Sequence, residues 1–319
     1  MKICQDGTLS GVISPITLQG LLNEHCFLLM LLTVMTAGLT AVPAIARPDM
    51  RPLGKNIADT GSAWYRFQSK KFVSQDGERH YRVWLAIPKS DAPPGGYPVL
   101  WLLDGNAAMA HLTEPLLKKL SSGTPPVLVA VGYDTHLPFD VVARNYDYTP
   151  PNDAPDTLVT QPHGRKGGGS HQFRQLLLNT IVPWAERLAP SNPQRRALWG
   201  HSYGGLFVLD TFFHAAWFSH YFSAAPSLSW NHQRILTLAR RADAGPLKHL
   251  SLYLMEGDGI TERRTGHSDD LQQEERALID ILRPSGARLI LTRYPGQSHG
   301  QILPSSLVDT LEIVSGSRD

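Results

Sequence analysis

The sequence predicts an α/β-hydrolase fold, a doubly wound and mostly parallel sheet with helices on both faces. Three features carry that prediction. Short, nearly continuous apolar runs alternate with segments of helical period between residues 79 and 294, as strands buried on both faces and their crossover helices must. The pentapeptide Gly200-His-Ser-Tyr-Gly204 stands between one such run and an apolar helical stretch, the setting of a nucleophile elbow. His299 then follows the last apolar run near the C-terminus, where this fold delivers its general base.

Taken in order, residues 1–46 read as an N-terminal leader and residues 47–319 as one α/β domain. Positions 25–45 are strongly apolar and almost uncharged, and they close on Ala44-Ile45-Ala46, a small-x-small site of the kind signal peptidase accepts. Export to the periplasm is the expectation, with an uncleaved membrane anchor as the alternative that so long a run also suits. Asp6 and Glu24 offset Lys2 where a signal peptide should be positive, which makes Met30 an alternative start. Both cysteines, Cys4 and Cys26, fall in the leader, so a mature chain beginning near Arg47 forms no disulfide.

Strands are expected at 79–88, 97–103, 126–131, 197–199, 221–225, 250–255 and Arg288–Tyr294, and helices at Glu114–Leu120, 172–188, 206–218 and 271–282. Residues 134–170 break the rhythm, being polar, rich in Pro and Gly, and without a clear period. This segment follows the C-terminal end of a strand, where open α/β sheets bind ligands. It reads as a rim or lid over the site. Composition is that of an ordinary globular enzyme, at 42% hydrophobic, 18% charged and a formal net charge of +2. No basic run offers a nucleic-acid surface, and nothing implies a stable protein partner.

The elbow supplies the chemistry. Small residues on either side of Ser202 allow a sharp strand-to-helix turn, so Gly200 and Gly204 leave its hydroxyl exposed. The same turn puts the Tyr203 N–H at a helix N-terminus, where it can hold an oxyanion. A second oxyanion amide is expected after an early strand, from Gly105 or Asn106 in Leu103-Asp-Gly-Asn106. Of the 13 histidines, His299 in Tyr294-Pro-Gly-Gln-Ser-His-Gly300 has the position of the base. His201 lies inside the elbow, points elsewhere than a base for Ser202 should, and reads as a packed residue. The orienting acid is open: Glu256, Asp258 and Glu262 all suit the chain order, and none stands out. Without one, Ser202 and His299 would work as a dyad. No H-E-x-x-H or paired-Cys cluster calls for a catalytic metal, and no cofactor is expected.

With these residues in view, the chain resembles the enterochelin-esterase-like α/β-hydrolases, and among them the periplasmic trilactone hydrolases of the salmochelin system. The likeness is carried by Arg47-Pro-Asp-Met-Arg-Pro-Leu-Gly54, His80-Tyr-Arg-Val-Trp84, Leu103-Asp-Gly-Asn106, Val129-Ala-Val-Gly-Tyr133, Arg144 with Tyr146-Asp-Tyr-Thr-Pro150, and the elbow block Leu198 to Asp210. The resemblance implies hydrolysis of the seryl ester bonds of enterobactin and its C-glucosylated derivatives by a Ser-His dyad. The partner it implies is a small-molecule catecholate siderophore, any iron arriving with the substrate. It also implies a substrate-binding arginine, Arg144, in the rim loop, where a guanidinium would face the anionic catecholates. A general carboxylesterase acting on another acyl ester, or a non-catalytic siderophore-binding protein on a hydrolase scaffold, are the alternatives.

Overall fold

The computed structural model describes residues 49–152, 158–160, 164–214, 217–259 and 268–317. The leader and Glu262 lie outside the described residues. Among those described, no helix is long and apolar enough to cross a membrane.

Eight strands form the main sheet: β1 Tyr65–Val73, β2 His80–Pro88, β3 Tyr97–Leu102, β4 Val127–Tyr133, β7 Ser191–His201, β8 His220–Ala224, β9 Ser251–Gly257 and β10 Arg288–Tyr294. They lie in the order β1-β2-β4-β3-β7-β8-β9-β10, and β5 Val159–Thr160 pairs with β6 Lys166–Gly167 in a separate small hairpin. Strand β2 runs antiparallel to both its neighbours, and every other pairing in the main sheet is parallel. The expected mostly parallel sheet is therefore present, with one reversed strand near its edge.

The sheet is apolar on both sides because its strands alternate. Val83, Leu85, Val99, Trp101, Val129, Val131 and Leu198 enter one core, and Trp84, Leu100, Leu102, Leu128 and Trp199 enter the other. Two helices, α1 Gly105–His111 and α2 Glu114–Leu120, cover the second face together with the C-terminal α9 Ile302–Ser315. The first face is covered by α4 Ser170–Leu176, α5 Val182–Glu186, α6 Tyr203–His214, α7 Trp230–Arg241 and α8 Ser268–Leu282. Burial works against the charge of Asp210 on α6, but Arg174 at 2.7 Å, His214 and Ser170 outweigh it and hold that carboxyl well below the usual range. This cluster locks α4 to α6.

Three elements differ from the sequence pattern for local reasons. Strand β1 escapes the periodicity because it is a charged edge strand whose residues are mostly exposed, a common defence of a sheet edge. Strand β7 begins at Ser191, inside a stretch that reads as turn, and its register against β3 shifts between Tyr97 and Val99. Pro193 lies in that irregular part, where a missing N–H costs least. The helix expected at 172–188 is interrupted by a π-helical turn, Leu177–Ile181, just before Pro183. Proline cannot donate to the carbonyl four residues back and clashes with it, so the register slips by one residue.

The rim segment is also less of a lid than its composition suggests. Its first part holds α3 Ala143–Asp147, and Asn145, Asp147, Tyr148 and Thr149 are all buried. Asp147 accepts from the Tyr81 and Tyr133 hydroxyls at 2.9 and 3.0 Å and lies 3.0 Å from Nε of Arg79. Residues 143–150 of the irregular segment are thus a wedge fixed into the sheet.

At the elbow the tight glycines are Gly200 and Gly205 rather than the flanking pair. A Cβ on Gly200 would lie 2.5 Å from the Gly204 backbone, and one on Gly205 would lie 2.8 Å from the Ala224 carbonyl oxygen, whereas one on Gly204 meets nothing closer than 3.6 Å. Gly205→Ala should accordingly destabilise the protein by about 1–3 kcal/mol, while Gly204→Ala should be neutral or gain up to about 1 kcal/mol of helix propensity. Denaturant unfolding of the two variants checks this, and equal losses would show that Gly204 is as constrained as Gly205.

Candidate active site

Three neighbouring strands, β3, β7 and β8, end in a non-glycine residue with left-handed backbone: Asp104 at φ 50°, Ser202 at φ 61° and Ala225 at φ 41°. Each such residue costs about 1–2 kcal/mol, and such strain concentrates where backbone must turn sharply for function. The Ser202 turn is held by its N–H donating to Ala224 O at 2.9 Å and by its carbonyl accepting from Leu206 N in α6 at 2.9 Å. Its Oγ lies 3.1 Å from Nε2 of His299 and 3.4 Å from Oγ of Ser227. A neutral imidazole with its proton on Nδ1 can accept the Ser202 proton at that distance.

His299 reaches Ser202 because the loop after β10 crosses back over the ends of β9 and β8. The turn after β9 is its bed. Cβ atoms on Gly257 or Gly259 would lie within 2.5 Å of the Gln297 backbone, Gly259 N donates to Gln297 O at 3.0 Å, and the Asp258 carboxylate accepts from Gly296 N at 2.6 Å. Of the three acid candidates, Asp258 is brought to the backbone of the base loop, and Glu256 stands in β9 opposite Arg293 of β10. Glu262 lies outside the described residues.

Arg144 is placed differently from the rim position read in the sequence. Its side chain is 11% exposed and turns inward, with Nε and Nη2 donating to the two carboxylate oxygens of Asp104 at 2.9 and 2.7 Å. Nη2 also lies 3.4 Å from the His201 carbonyl, and the guanidinium sits over the rings of Phe139, Tyr148 and Tyr203. Burial disfavours its charge, but Asp104 outweighs that and pushes its pKa up, so it stays cationic. Fixed this way, the guanidinium is one residue from the nucleophile on either side.

Asp104 carries no functional signal in the sequence beyond its place in Leu103-Asp-Gly-Asn106. It occupies the N-cap position of α1, yet its carboxylate makes no cap bond, although an aspartate there ordinarily binds the first-turn amides. Arg144 has taken both oxygens. The Asp104 carboxylate therefore caps none of the first-turn N–H groups of α1, those of Gly105 and Asn106 included. Tyr203 opens α6 in the same way on the adjacent strand end. The Asn106 side chain is spent elsewhere, accepting from Tyr133 N at 2.8 Å and donating to the carbonyls of Tyr133 and Thr135. The close fit of α1 on β4 demands glycine on both sides, since Cβ atoms at Gly105 or Gly132 would lie within 2.8 Å of backbone or of Asn106.

His201 is 6% exposed, and its ring bears on the base rather than on Ser202. Nε2 donates to the His299 carbonyl at 2.7 Å, and the two imidazoles lie 4.8 Å apart. Burial, then the neighbouring His299, push its pKa down to about 3.

Residues 74–278 match the family model described as "Putative esterase". Apo-salmochelin esterase of Escherichia coli O6:H1 is 45% identical over 273 residues, 85% of this chain and 86% of that one. Ferri-bacillibactin esterase BesA of Bacillus subtilis is 29% identical over 243 residues, 72% of this chain and 83% of that one. Among solved structures, the enterobactin hydrolase IroE in complex with DFP matches with a TM-score of 0.72 at 42% identity, over 82% of this chain and 99% of that chain.

A buried neutral histidine makes stability depend on pH. Between the ordinary value of 6.5 and the folded value of about 3 the unfolded chain binds a proton at position 201 that the folded chain does not. Its contribution is therefore complete above pH 6.5 and is lost as pH falls toward 3. Urea unfolding at pH 7 and pH 5 should show a smaller acid loss in His201→Gln than in the parent, and an unchanged loss would mean that His201 is protonated in the folded state.

Proposed function

The chain belongs to the esterase family, and from that footing we propose that it is an exported serine esterase which opens the trilactone of enterobactin- and salmochelin-type catecholate siderophores. One observation carries the chemistry: Ser202 Oγ, on a left-handed residue at a helix N-terminus, is within 3.1 Å of His299 Nε2. The substrate class rests on the relatives, whose names record esterases of salmochelin and bacillibactin. The DFP complex of the IroE structure supports a nucleophilic serine in this fold, since fluorophosphonates react with activated serines. Export rests on the apolar leader and its Ala44-Ile45-Ala46 end.

In this reading Ser202 Oγ attacks a lactone carbonyl carbon while its proton passes to Nε2 of His299. The carbonyl oxygen becomes an oxyanion, held by first-turn amides of Tyr203 and of Gly105 or Asn106 and by the Arg144 charge beside them. His299 then returns the proton to the departing seryl oxygen, which opens the ring and leaves an acyl-enzyme. Water attacks next with His299 again as base, releasing a carboxylate and restoring Ser202.

Incubating the purified protein with cyclic enterobactin should yield the linear ester, read by mass; an intact trilactone alongside cleavage of other acyl esters would favour a general carboxylesterase. Ser202→Ala and His299→Ala should each remove nearly all of the rate, and the double variant should lose no more than either alone, because the pair acts as a unit. Ser202→Ala retaining most of the rate would refute the nucleophile. Arg144→Ala should lower kcat on a small neutral ester as well as on the trilactone, on the order of 10²- to 10³-fold, the scale of a lost oxyanion donor. A loss confined to the catecholate substrate would instead make Arg144 a substrate-binding group alone.

A further inference from the structure

We propose that His201 is the positioning residue of this site, holding the base loop against the elbow through the backbone of His299. The inference rests on the serine-esterase reading above and assigns a task within it. Residues alternate along a strand, so the side chain of position 201 leaves β7 on the side away from Ser202. It nevertheless meets the base, because the loop after β10 has travelled back across two strand ends to reach the nucleophile.

A loop making that journey has no sheet ladder to fix its far end. On its near side it is tied by Asp258 to Gly296 N and by Gly259 N to Gln297 O. At the reacting residue it is met by His201, whose Nε2 is 2.7 Å from the His299 carbonyl oxygen. A carbonyl can only accept, so Nε2 carries the proton and the ring is in its Nε2–H form. The other end of His201 is held as well. Its carbonyl lies 3.4 Å from Arg144 Nη2, and its backbone pairs with Ala224 of β8.

The result is a relay of fixed groups running Asp104, Arg144, His201, His299 and Ser202. An orienting acid grips a catalytic histidine at Nδ1; His201 acts instead on the main chain that carries the ring. The tie also requires a donor of this length at position 201, which an apolar residue of similar bulk does not supply.

The test is steady-state kinetics on p-nitrophenyl acetate, a substrate too small to read siderophore binding, with Ser202→Ala as the blank. His201→Leu should lower kcat by roughly ten- to hundredfold, the scale of a misplaced catalytic group, with KM little changed and the rate of fluorophosphonate labelling reduced in proportion. His201→Gln, which keeps a donor of similar reach, should recover most of kcat. Should the Leu variant fail to fold, His201→Asn, polar but too short to reach the carbonyl, takes its place with the same expectation. A folded Leu or Asn variant with the parent's kcat overturns the proposal. So does a Gln variant that loses as much as Leu at an unchanged melting temperature. A parent chain inactive on the ester overturns the esterase reading itself, while an active parent with indifferent position-201 variants overturns this inference alone.

Discussion

The rest of the site depends on the buried ion pair between Asp104 and Arg144. One partner stands at the end of β3 and the other on a helix from the irregular segment that follows β4, so the pair joins two parts of the chain 40 residues apart. With side chains 2% and 11% exposed, neither charge tolerates the loss of the other, and breaking such a pair by removing one partner costs about 3–5 kcal/mol. Its geometry also has a chemical consequence. With both Asp104 oxygens on Arg144, the carboxylate caps none of the first-turn amides of α1. The same contact lodges a permanent cation beside the nucleophile.

Strain and packing converge on the same edge of the sheet. In a parallel sheet all the carboxyl ends lie together, so the turns after β3, β7, β8, β9 and β10 are neighbours by construction. Three of them turn through left-handed residues that are not glycine. That arrangement persists because each is over-determined: Ser202 by Ala224 and Leu206, Asp104 by Tyr148 and Arg144. Glycine is reserved for the close approaches, at Gly105 and Gly132 where α1 meets β4 and at Gly257 and Gly259 beneath the base loop.

The acidic segment at the end of β9 shows how much a location leaves open. Chain order marks it as a source of acid candidates, of which Asp258 reaches the backbone of the base loop and Glu256 stands in β9 opposite Arg293. What the structure shows there is backbone work: two glycines that let the loop lie flat, and a carboxylate accepting from a loop amide. Similarly, His201 is visible in the sequence as a residue of the elbow. Nothing in its spacing says that a loop 98 positions away brings a carbonyl within 2.7 Å of its ring.

The sequence by itself determined what is local or periodic. Apolar runs defined the strands because burial on both faces needs side chains that alternate between two cores, and the elbow followed from a serine set between glycines at a strand-to-helix junction. Chain order then singled out His299. The tertiary structure decided everything that depends on side-chain direction and long-range partners. It turned Arg144 inward onto Asp104, made a buried wedge of residues 143–150, and put His201 under the base. A guanidinium in a polar loop has the same sequence signature whether it meets solvent, substrate or a buried carboxylate. Only the positions of groups far away in the chain, brought together by the closing of the sheet, choose among them.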